Sequence, residues 1–314
     1  MTHGTGWPML RRRWGRVGLA LAGVVLIAVG AIVQSQLPAI GAGGLLHPFR
    51  RSAVGRPPDS CDTALFDGVG VRLKGWRCRA AGDQPSPGAQ RDGFGGTSRR
   101  GTLVYLHGIA DNRGSATGII ERFRRRGFDV IAYDSRAHGE SSGAACTYGF
   151  YEKQDLRRVV DTIDSGPVVL MGTSLGAAVA LQEAAEDARV SAVVAAETFS
   201  DLRTVASERA PFFFTPNVIR RAFQLAEAEG RFTIDAVSPE AAARKIEAPV
   251  LIIHGSIDRD TPPDHSRRVF EALHGPKQLI LVPDAGHNQS LSGAVWQDIE
   301  TWLDRALSDG AVSR

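Results

Sequence analysis

Three hydrophobic rhythms follow one another along the chain. Residues 17–33 carry no polar side chain, a run that reaches the about 17–25 residues of a bilayer-spanning helix and exceeds the roughly 7–15 of a cleavable signal. Residues 34–58 are rich in Gly, Pro and Ala without a sustained period, which suits a tether. From about residue 60, short apolar runs alternate with amphipathic stretches. Residues 64–76 predict two short strands around the turn residues Asp67, Gly68 and Gly70. Strand-length apolar runs follow at 103–106, 130–133, 168–171, 190–195, 250–253 and 278–282, and helices are predicted at 119–126, 152–163 and 176–186. Wholly apolar strands separated by helices mean an α/β fold with a mostly parallel sheet covered on both faces. Residues 82–100 read as an exposed loop. Residues 202–246 break the alternation and predict a small cap over the strand ends. The cap holds Phe212, Phe213 and Phe214 between Pro211 and Pro216. These rings either pack the cap onto the body or wall a pocket.

Composition narrows the picture. The 314 residues leave room, once the ends are set aside, for one domain of about 250 residues. With 43% apolar and 23% charged residues the chain is neither disordered nor a multi-span membrane protein. The formal charge is +3, but Arg11, Arg12, Arg13 and Arg16 precede the apolar run with no acid among them, leaving roughly −1 for the rest. That removes the charge argument for nucleic-acid binding. Cations gather on the cytoplasmic side of a span, so the part that follows residues 17–33 is expected outside the cytoplasm. The expected organisation is a basic flank at 1–16, a transmembrane anchor at 17–33, a linker at 34–58 and a domain at 59–310 with its cap at 202–246. Cleavage after Ala39-Ile40-Gly41 and secretion is the alternative. Cys61 and Cys78 flank the predicted hairpin and could pair in an oxidising compartment, leaving Cys146 single; three unrelated buried thiols is the other reading. No residue spacing resembles a metal site.

The strongest chemical signal is Gly172-Thr173-Ser174-Leu175-Gly176, between a predicted strand and a predicted helix. A strand-to-helix turn of this kind exposes a serine hydroxyl in a strained conformation, and flanking glycines let neighbouring chains pass close. The helix N-terminus beside it favours developing negative charge. A serine hydroxyl needs a base, and the base needs an acid to fix its tautomer. Asp258 and His287 follow later strands in the chain order Ser, Asp, His. Asp260 is the rival acid, but Asp258 lies where the loop leaves its strand. His107, His138 and His254 are rival bases, and none of them follows the last strand. A tetrahedral intermediate needs two converging N–H donors. Leu175 supplies one, and Ile109, in the loop His107-Gly108-Ile109, is expected to supply the other, with His107 bracing that loop.

With these residues assembled, the chain resembles the α/β-hydrolase superfamily over roughly residues 62–307, in particular its compact serine-aminopeptidase-like and monoacylglycerol-lipase-like branch and its membrane-anchored lipid or acyl-protein hydrolases. Further landmarks of the resemblance are Asp67-Gly68 to Gly75-Trp76, Asp134 to Ser141, Tyr148 to Asp155 and Ala248-Pro249-Val250 to Pro262. Ala137 stands where the family usually has Gly, and Asp134 and His138 are read as structural. The resemblance implies hydrolysis of an ester, thioester or amide through an acyl-enzyme, with no cofactor. The expected partner is a small-molecule acyl ester. A peptidase using the same triad is the alternative within enzymes, and Glu227, Glu229 and Asp235 are the cap acids that could hold a substrate amine. An inactive binding member of the fold is the alternative outside them.

Overall fold

The computed structural model describes residue 28 and residues 30–52, 56–81 and 99–312. The chain begins its sheet with a hairpin, β1 (Cys61–Asp67) and β2 (Arg72–Cys78), turned at Gly70 with φ +68°. β3 (Gly101–Leu106), β4 (Phe128–Tyr133), β5 (Val168–Thr173), β6 (Val190–Ala196), β7 (Val250–Gly255) and β8 (Lys277–Val282) complete it. The spatial order is β1-β2-β4-β3-β5-β6-β7-β8, parallel from β4 onwards, with β2 antiparallel to both β1 and β4. Every predicted strand is present, extended by one to three residues at its ends.

Alternate residues of the central strands enter two cores, which is why these strands are apolar throughout. Val104, Leu170 and Ile252 face α3 (Glu152–Val160), α4 (Leu175–Ala184) and α8 (Asp264–Ala272). Leu103, Met171 and Ile253 face α2 (Thr117–Arg125) and α9 (Val295–Val312). The cap comprises α5 (Leu202–Glu208), α6 (Pro216–Gly230) and α7 (Pro239–Ala243). Thr215 caps α6 by accepting from the Val218 N–H, with Pro216 at the first helical position.

Two expectations are corrected. Residues 34–46, read as part of a linker, are helical: a helix, α1, occupies 30–46. Its Ala42 and Leu46 are buried with Phe199, Leu202, Val205 and Phe223 in a third core beneath the cap. Pro38 and the glycines at 41, 43 and 44 make this a poor helix by propensity, so docking rather than local preference holds it. A Cβ at Gly41 would approach Phe214 and Ala222 to 2.9 and 3.0 Å, so the glycine is a point of close packing. The phenylalanine cluster likewise matches neither reading proposed for it as a whole. Phe212 is fully exposed, Phe213 is about half exposed, and only Phe214 packs, against α1.

Cys61 and Cys78 are directly opposed in the hairpin and joined as a disulfide, with Cα atoms 4.0 Å apart; Cys146 is free and buried. No helix among the described residues is long and apolar enough to cross a membrane. Of the expected anchor at 17–33, residues 28 and 30–33 are described, all helical. The rest of it, the basic flank at 1–16 and residues 82–98 of the expected loop lie outside the described residues.

Candidate active site

Ser174 sits between β5 and α4 with φ +52° and ψ −111°, a conformation that L residues seldom adopt. The close approach of neighbouring chains explains its glycines. A Cβ at Gly172 would lie closer than 3.0 Å to the Gly176 backbone, and one at Gly176 would collide with the carbonyls of Leu106 and His107. The Ser174 N–H donates to the Ala196 carbonyl at 2.8 Å, tying the turn to β6.

His287, beyond β8, meets both partners. Its Nδ1–H donates to Asp258 Oδ2 at 2.7 Å, and its Nε2 lies 3.2 Å from Ser174 Oγ, oriented to accept the hydroxyl proton. Asp258, beyond β7, is buried, and its Oδ1 accepts the N–H groups of Asp260 and Thr261, both at 2.9 Å. Burial alone would raise the Asp258 pKa, but hydrogen bonds from His254, His287 and Thr261 outweigh it and hold the carboxyl well below its ordinary range. The structure thus brings together Ser174, Asp258 and His287. It leaves Asp260 exposed, giving its backbone N–H to Asp258.

The rival histidines occupy other places. His254 lies on the far side of the acid, its Nε2–H shared between the Thr261 carbonyl at 2.8 Å and Asp258 Oδ2 at 3.2 Å, while its Nδ1 accepts from Ser266 Oγ at 2.6 Å. His107 Nε2 accepts the Ser135 N–H at 3.0 Å, so Nδ1 carries the proton and donates to the Gly108 carbonyl at 2.7 Å, which braces the 107–109 loop. His138 is buried against His107, and burial lowers its pKa to about 4. Asp134 accepts the N–H groups of Arg113 and Glu140 at 2.7 and 2.8 Å and pairs with the Arg113 guanidinium, so it holds loops together. Ala137 has φ +60°, the conformation that favours glycine.

The 107–109 loop lies against the serine: a Cβ on Gly108 would be 3.7 Å from Ser174 Cβ. Among the described residues, neither the Ile109 nor the Leu175 N–H has an intramolecular acceptor, so both remain available to an oxyanion. Gly108, Ile109, Ser174 and His287 open onto a cavity of about 1070 Å³, with apolar lining at Ile119, Leu291 and Trp296 and charged lining of both signs, among it Arg51, Arg209, Arg259, Asp111, Glu208 and Asp260. Phe212, Phe213 and Phe214 are not among its lining residues. Arg51 belongs to the segment after α1, whose Arg51 and Ser52 carbonyls accept from Asn112 at 3.0 and 3.1 Å. The cap acids are engaged elsewhere: Glu227 accepts the Ile234 N–H at 3.0 Å, Glu229 pairs with His47 at 2.7 Å, and Asp235 pairs with Arg203 at 2.5 Å.

Sequence reasoning missed Glu197. It follows β6 with φ +56°, is 1% exposed, and accepts the N–H groups of Asn288, Gln289 and Ser290 at 2.5, 3.2 and 3.0 Å. Its Oε2 is 3.8 Å from His287 Nδ1. An acid just beyond a strand's carboxyl end was the available signal. Glu197, Asp258 and His287 place potential metal-ligand atoms within 4.8 Å of one another. Each of these atoms already serves a hydrogen bond that holds the His287 loop or the imidazole.

The sheet order, the serine at the strand-to-helix turn and the strand-end carboxylate and histidine together define the α/β-hydrolase fold. Residues 101–224 match the family described as alpha/beta hydrolase fold, and residues 225–312 match the family of PhoPQ-activated pathogenicity-related proteins. The chain is 32% identical to YqkD of Bacillus subtilis over 202 residues, 60% of this chain and 65% of that protein, so it spans just under two thirds of YqkD. It is 28% identical to YfhR of Escherichia coli K12 over 248 residues, 76% of this chain and 77% of that one. Among solved structures it is similar to the Pyrococcus furiosus esterase Pf2001, with a TM-score of 0.61 and 22% identity over 83% of this chain and 97% of that one.

Proposed function

We propose that the protein is a serine hydrolase that cleaves a carboxylic ester, with an apolar acyl group of modest length, through an acyl-enzyme on Ser174. The observation that carries this reading is the continuous relay from Asp258 through His287 to Ser174, at 2.7 and 3.2 Å. In it, His287 takes the serine proton as Oγ attacks the carbonyl carbon, Asp258 holds the imidazole and balances its charge, and the Ile109 and Leu175 N–H groups receive the oxyanion. The tetrahedral intermediate then collapses, His287 returns its proton to the leaving alkoxide, and water repeats the sequence on the acyl-enzyme. The apolar walls at Ile119, Leu291 and Trp296 suit an acyl chain, each buried methylene adding up to about 0.8 kcal/mol. The prior engagement of Glu227, Glu229 and Asp235 speaks against an amine subsite and so against a peptidase. Similarity to a protein described as an esterase agrees with this choice.

The apolar run at 17–33 is read as a membrane anchor that leaves the domain outside the cytoplasm. The disulfide between Cys61 and Cys78 supports an oxidising compartment. The test of activity is a series of p-nitrophenyl esters from acetate to palmitate, alongside aminoacyl anilides, with the Ser174→Ala protein as blank. Specificity constants should rise with chain length until the cavity fills. Highest rates on the anilides would give the peptidase reading instead.

A further inference from the structure

We propose that the part of α1 after Gln36 and the Phe212–Phe213 tip of the cap form a face that rests in the headgroup layer of an anionic phospholipid bilayer, with the active-site cavity beside it. The proposal rests on the anchor reading above. Large exposed apolar side chains mark it: Ile40 on α1, and Phe212 and Phe213 on the cap, with Phe212 100% exposed, whereas the exposed Ile32 and Val33 belong to the part of α1 that the span itself takes. Ile40, Phe212 and Phe213 form one surface, because the rings of residues 212, 213 and 214 contact in series at 5.4 Å and Phe214 packs against Gly41 of α1.

The occupant follows from the chain leading into that surface. α1 overlaps the end of the apolar run at 17–33. A hydrocarbon core about 30 Å thick takes about 20 helical residues, so a span starting at Val17 ends near Gln36. Gly41, against which Phe214 packs, then follows within about 8 Å at 1.5 Å per residue. The headgroup layer is roughly 5–7 Å deep on each side, so the tip falls at its outer part with α1 upright and inside it with α1 tilted. Two further observations agree. Arg220 and Arg221, exposed on the helix after the tip, bond only to the neutral Asn217 and Gln224 among the described interactions, leaving their charge for anionic lipid. Arg209, three residues before Phe212, lines the cavity, which sets the tip next to it, so a lipid-borne ester has little distance to travel.

The test is nitroxide labelling of the full chain at Phe212→Cys and, separately, Phe213→Cys, with Arg125→Cys on α2 as a distant exposed reference. Cys146 is buried and the other two cysteines are paired, so the new thiol is the one that reacts. The proteins are placed in phosphatidylcholine vesicles with and without phosphatidylglycerol. The expected result is an oxygen-to-nickel collision ratio several-fold higher at 212 and 213 than at 125, and higher with phosphatidylglycerol than without. Equal ratios at the three sites in protein that floats with the vesicles overturn the proposal while leaving the anchor intact. Protein that does not float at all removes the anchor and this face together. Spin–spin broadening between labels at 212 would assign the face to a second copy and equally overturn the bilayer.

Discussion

Ser174 keeps its φ of +52° because nothing but hydrogen occupies the Cα positions it must pass at residues 172 and 176. Gly176→Ala should therefore destabilise by about 1–3 kcal/mol through overpacking and depress turnover, both readable from urea titration and from kcat on a soluble ester. Glu197 carries a second prediction. Alanine there leaves the Asn288 N–H and the buried Ser290 N–H of the His287 loop without an acceptor, while Gln289 keeps the Gly286 carbonyl at 3.2 Å, at about 1–3 kcal/mol for the buried group if it does not relax. Glu197→Ala should lose about 1–3 kcal/mol of stability and lower kcat with little change in KM, while Glu197→Gln, which keeps an acceptor, should recover most of the stability. A Glu197→Ala protein with unchanged kcat would limit the residue to a folding role. Asp258 has a depressed pKa in the folded state, so its contribution is complete above the unfolded value near about 4 and is lost only as pH falls through the lower folded value. An acid limb of activity found above about pH 4 therefore belongs to another group than Asp258. The triad was legible because each member follows an apolar strand in a turn with distinctive residues. Glu197 was not, because one acid at a strand end looks like any other until the His287 loop folds back over it.

At the scale of elements, strands and their flanking helices were readable from apolar runs, since the central strands β3 to β7 are buried on both faces. α1 was not readable. Its Pro38 and its glycines argue against a helix, and the surface that stabilises it comes from residues 199–232, far along the chain. Leu46→Ala should loosen α1 from the cap at a cost of about 2–5 kcal/mol, seen as faster proteolysis within residues 47–60. His47 gives the same junction a pH dependence. Its hydrogen bonds to the Ala144 carbonyl and Glu229 raise its pKa above the ordinary value. The stabilisation is then fully present below the unfolded pKa near about 6.5 and is lost as pH rises through the folded one. Proteolysis of this segment should accelerate with rising pH in the wild type and lose that dependence in His47→Gln.

For the molecule as a whole, the composition and alternation were enough for the class of fold, whereas the seating of the cap depends on contacts among distant side chains that no local pattern encodes. The disulfide between Cys61 and Cys78 closes a loop with a sequence separation of 17, worth about 3 kcal/mol if it acts mainly on the unfolded chain. The Cys61→Ser, Cys78→Ser double variant should show a loss of that order in urea titration while keeping its ester activity, since the hairpin lies at the edge of the sheet away from Ser174. The central claim is covalent catalysis at Ser174, and the most direct measurement is mass spectrometry of the protein after reaction with a fluorophosphonate. One adduct per chain should appear on the peptide containing Ser174, and it should be absent in Ser174→Ala and strongly slowed in His287→Ala. An adduct on a different residue, or undiminished labelling of Ser174→Ala, would contradict the account.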